Sequence, residues 1–162
     1  TTARLGALFG EKHEEAEESE QSRSYLFAKS VEFSLRYPLF GVGSDQFATF
    51  EGIDSRKQGF RGNWHTTHCS WTQISSECGI PALFLMVGAL ATAIGPLYRT
   101  LSVAKAAKRP EIEFMLFCVM LSDIMLLAAV TLLSQGYSLY LPLIIALSLV
   151  VTRAARIEIA AS

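Results

Sequence analysis

Polar and apolar positions are segregated along this chain. Up to residue 79 they mix in short stretches. From Ile80 onward three apolar runs dominate, at 80–98, 114–133 and 137–152. The first run holds nineteen residues without a charge, which as a helix rise ~28 Å, close to the hydrocarbon thickness of a bilayer. The second is equally apolar except for Asp123, a carboxylate that is costly in lipid and often functional there. The third is short, carries Pro142, and suits a tilted or half-inserted span. Between the first two lies a basic loop with Arg99, Lys105, Lys108 and Arg109, and Arg153 and Arg156 follow the third.

Before residue 79 the pattern predicts helices and turns. Over 22–37, Phe27, Val31 and Leu35 recur every four residues and define one helical face, which Pro38 ends. Gly41 and Gly43 then permit a tight turn. Residues 48–63 read as a polar loop carrying Arg56, Lys57 and Arg61. Residues 68–77 again suit a helix, with Trp71, Ile74 and Cys78 as its apolar stripe, broken at Gly79-Ile80-Pro81. Residues 11–21 hold six glutamates and read as a solvated acidic linker.

The expected fold is therefore an all-α polytopic membrane protein: a helical loop region over 1–79, then a transmembrane region over 80–162 with about three spans. Charge sets its orientation. Both basic segments belong on the cytoplasmic side, so 1–79 and the 134–137 turn face the periplasm or exterior. The first region carries eight Lys/Arg against eleven Asp/Glu, a net of −3. No basic patch suggests nucleic acid. With no initiator Met and no secretory pattern in the first ten residues, the chain reads as the C-terminal part of a longer polytopic protein.

Candidate chemistry collects where the loop region meets the first span. His65, His68 and Cys69 are zinc-type ligands, but their spacing fits no closed zinc module. A zinc-dependent hydrolase and a non-enzymatic, transporter-like protein whose loop only packs are the readings that compete with a transferase. His68 suits a general base. Arg23, in the first turn of its helix, opposes the helix dipole and so has no local reason to be there.

These residues resemble the C-terminal region of the O-antigen ligase and polymerase family of bacterial membrane glycosyltransferases. The resemblance rests on Arg23, the turn Pro38-Leu39-Phe40-Gly41-Val42-Gly43 with Phe47, then His68, Trp71, Glu77 and Gly79 before a span. It covers about residues 20–98. Cys69 stands where an asparagine is usual, and Tyr25 and Leu26 stand near a usual tryptophan. The resemblance implies transfer of a glycan from an undecaprenyl-diphosphate carrier to an acceptor hydroxyl, on a lipid, a glycan or a protein, at the periplasmic face of the inner membrane. It implies no metal and no cofactor. His68 corresponds to the family's histidine and Arg23 to its loop arginine. Glu77 either orients His68 or caps within the loop. Arg56, Arg61 and Trp71 are the candidate substrate-binding residues.

Overall fold

The computed structural model describes residues 21–59 and 64–161. Those residues form six helices and no strand: α1 (21–36), α2 (Phe47–Lys57), α3 (Ser70–Glu77), α4 (Ile80–Ala106), α5 (Pro110–Leu132) and α6 (Tyr140–Ala161). The acidic stretch at 11–20 and Arg61 lie outside the described residues. The chain divides into two compact units, one of 1–68 with 72–80, the other of 69–71 with 81–162.

The first unit packs α1, α2 and α3 around Leu26, Phe33 and Phe47, with Val42 against them. Phe33 meets Phe47 and Phe50 edge-on at 5.7 and 6.2 Å between ring centres, the arrangement that aromatic quadrupoles favour. The face of α1 defined by Phe27, Val31 and Leu35 is exposed and is not the one that packs. The packing face is the neighbouring one, where Leu26, Lys29, Ser30, Phe33 and Ser34 are buried. Serines on that face let helices approach closely, and Ser34 Oγ shares a 2.7 Å hydrogen bond with Ser75 Oγ of α3. One expectation is corrected here, for 48–63. Most of it is not a loop but helix α2.

In the second unit α4 and α5 are long and apolar enough to cross a membrane. Both outrun the apolar runs that predicted them, α4 to Ala106 and α5 back to Pro110. Pro110 is tolerated at the first turn of α5, where its missing N–H costs nothing. α6 is antiparallel to α5. Arg109 Nη2 lies 3.6 Å from Glu158 Oε1 near one end, and Ser148 Oγ reaches both oxygens of Asp123 at 2.8 and 3.0 Å further along. Asp123 is thus a buried link to α6. Leu97, Ala104, Ile112, Leu116, Val119 and Ala155 form the core of the three helices. Arg156 adds a tie from α6 to α4, donating from Nε to Thr100 Oγ1 at 2.8 Å. At the other end of α5, Ser70 Oγ donates to Leu133 O and accepts from Gln135 N–H, at 2.6 and 2.7 Å.

Candidate functional site

The glycine turn and the end of α3 form one device. Val42 N–H and Gly43 N–H donate to the carbonyls of Ser76 and Glu77, at 2.8 and 3.0 Å. They satisfy acceptors that a helix C-terminus otherwise leaves open. Gly41 has φ +65°, and a Cβ there would overlap the Glu77 carbonyl. Gly79 has φ +91°, and a Cβ there would overlap the Leu39 carbonyl. Ile80 N–H, the first of α4, donates to Pro38 O at 2.8 Å. Both glycines are therefore fixed by backbone approach as well as by left-handed φ.

Glu77 belongs to this device. It is 1% exposed, and its carboxylate accepts from the backbone N–H groups of Asp45 and Phe47, at 3.0 and 3.2 Å. Phe47 is the first residue of α2, and Gln46 before it supplies no side-chain cap. Glu77 caps α2 from thirty positions away, with its charge at the positive end of the helix dipole. Of the two roles open to it in the sequence, capping is the one these contacts describe.

A second carboxylate, Glu51, organises the other half of the first unit. It is fully buried. It accepts from Tyr25 Oη of α1 at 3.2 Å, Ser55 Oγ at 2.9 Å and Trp64 N–H at 2.9 Å. The Trp64 ring fills the space a Cβ on Gly52 would need, and the Arg56 guanidinium stands 4.9 Å from its centre. Glu51 thus ties the start of α1, which carries Arg23, to the Trp64–His68 segment. Arg23 and His68 are both exposed. Arg56 is committed to the Trp64 face, where a cation over an aromatic ring is favourable.

Trp71, by contrast, lies in the second unit. Its Nε1 donates to Thr131 Oγ1 at 3.1 Å, near the end of α5. His65 is exposed like His68, and no group of three or more His, Cys, Asp or Glu is placed to hold a metal ion among the described residues. The sequence reading missed Glu51, Tyr25 and Ser55. Their only signal was the i, i+4 spacing of Glu51 and Ser55 in a stretch not read as helix.

In the same unit Lys29, itself buried, pairs with a half-buried and an exposed carboxylate. Lys29 Nζ contacts Asp54 at 2.8 Å and Glu32 at 2.9 Å. Burial pushes the Lys29 ammonium down, but the hydrogen bonds to Asp54 and Glu32 outweigh it and leave it above its ordinary value. The Lys29 hydrogen bond holds the Asp54 carboxyl below the usual range. The Asp54 contribution to stability is present above its unfolded value of ~3.9 and is lost as pH falls through its lower folded value. The Lys29 contribution is present below ~10.4 and is lost as pH rises through its higher folded value. We expect Lys29→Met to lower the melting temperature at pH 7 and the deficit to shrink as pH falls below the usual carboxylate range. A deficit of the same size at every pH would assign the loss to packing rather than to the ion pair.

No known protein family, curated protein or solved structure matches the chain.

Proposed function

We propose that this chain is part of a membrane glycosyltransferase of O-antigen ligase type. It moves a glycan from an undecaprenyl-diphosphate carrier to an acceptor hydroxyl at the periplasmic face of the bacterial inner membrane. The observation that carries the reading is the Glu51 hub, which ties the helix bearing Arg23 to the segment bearing His68. In this account His68 takes the proton of the acceptor hydroxyl as its oxygen attacks the anomeric carbon. The bond from that carbon to the diphosphate oxygen breaks, and the carrier leaves as lipid diphosphate. Arg23 offers a two-point grip on the leaving diphosphate. Arg61 is a further candidate for the same substrate from its place in the basic 48–63 stretch of the sequence. The proton on His68 passes to solvent or to the released diphosphate.

The second unit supports a membrane setting. Only 22% of the apolar stretch of α4 and 28% of that of α5 is buried, whereas the core helix of a soluble protein hides most of its apolar surface. In this reading α6 is the third span. The bonds from Ser70 to Leu133 and Gln135 put residue 70 at the end of α5 opposite Arg109, as an outside loop and a cytoplasmic basic turn require. Glu77 supports the site by holding α2, the helix that carries Glu51.

The test is transfer of a lipid-linked glycan in membranes holding the protein. Arg23→Lys is expected to lower transfer about tenfold or more, since one ammonium cannot reproduce the fork of a guanidinium. His65→Ala is expected to be mild. Wild-type transfer by Arg23→Lys at equal abundance would remove Arg23 from the reaction.

A further inference from the structure

The face of α1 that the core leaves unused continues into the glycine turn. Leu35, Leu39 and Phe40 are 71%, 65% and 84% exposed, and Phe27 and Val31 extend the face back along α1. Exposed apolar side chains this closely grouped mark a contact surface. The backbone places the turn. Pro38 O accepts from Ile80 N–H at 2.8 Å, and Gly79 packs against the Leu39 carbonyl, so residues 38–40 lie level with the first residue of α4. The charge-free part of α4 ends at Arg99. Its nineteen residues span ~28 Å against a hydrocarbon layer of ~30 Å. That leaves no slack, and Ile80 must sit at the hydrocarbon boundary, with the turn beside it.

We infer that the Phe27–Val31–Leu35 face of α1 and the Leu39–Phe40 tip form an interfacial anchor seated in the outer lipid leaflet. α1 then has its Leu26/Phe33 face on the unit's core and its other apolar face in lipid. Arg23 stands four positions before Phe27, ~40° around the helix. It borders the lipid-facing arc of the anchor. The inference rests on the membrane reading of α4.

Single cysteines carrying an environment-sensitive fluorophore at Leu35, Phe40, Gln58 and Leu85 test it. All four positions are exposed, so labelling leaves the core intact. The protein is placed in phosphatidylethanolamine–phosphatidylglycerol vesicles, with lipids brominated on the acyl chains as one quencher and aqueous iodide as the other. Leu35, Phe40 and Leu85 labels are expected to lose emission to brominated lipid and resist iodide, while the Gln58 label does the reverse. If Leu85 is quenched by lipid but Leu35 and Phe40 are quenched by iodide, the face is in water and the inference fails. If those two are shielded from both quenchers, a protein segment or a second copy covers the face, and the inference fails equally. If Leu85 itself escapes brominated lipid, the membrane reading of α4 falls first and takes the anchor with it.

Discussion

Glu77→Ala is expected to unfold the first unit rather than to slow a reaction in an intact one. The carboxylate is buried, and its accepted bonds come from backbone N–H groups at the start of α2. Removing it strands both donors and takes a negative charge from the helix N-terminus. Hydrogen bonds to charged groups are worth about 1.5–3 kcal/mol each, and unpaired buried donors cost a similar amount. A loss of about 3 kcal/mol or more follows, a large share of the 5–15 kcal/mol that holds a typical domain together. α2 carries Glu51, so the hub at Tyr25 and Trp64 goes with it. Limited proteolysis of membrane-embedded protein reads this directly. Glu77→Ala should expose new cleavage sites between residues 38 and 68, while Glu77→Gln, which keeps one acceptor oxygen, should be milder. A Glu77→Ala protein as protease-resistant as wild type but inactive in transfer would instead make Glu77 the orienting partner of His68.

The same contact explains which parts of the fold the sequence announces. α3, α4 and α5 are legible because their signals are local: an apolar period, a glycine stop, a long uncharged run. α2 is not, because its N-terminal cap lies at Glu77 and its Gly52 answers to the Trp64 ring rather than to helix propensity. For α1 the period marks one face, and another one packs. The apolar stripe Phe27/Val31/Leu35 is real, but a helix with one face on a core and another apolar face exposed carries two stripes. The packed one is diluted by Ser30 and Ser34. Motif spacing, finally, mixes two kinds of information. The pieces at 38–43 and at 77 and 79 meet as one backbone device, so their spacing encodes architecture. Arg23 and His68 are exposed, so their spacing answers to no packing in this unit, and the proposed reaction is the account offered for them.

His68→Ala is expected to lower glycan transfer by about 10²–10⁴-fold, the usual cost of losing a positioned general base. His68 is exposed, two residues before α3 begins and four after Trp64, whose backbone is pinned to Glu51. Its replacement therefore touches no core and should leave abundance and protease resistance unchanged. An imidazole accepts a proton near neutral pH and a methyl group cannot. The deciding measurement is the rate at which purified protein in phospholipid vesicles moves a glycan from undecaprenyl diphosphate to an acceptor hydroxyl, wild type beside His68→Ala at matched protein level. The account predicts transfer by wild type and a loss of at least about a hundredfold in the variant; equal rates in the two would contradict it.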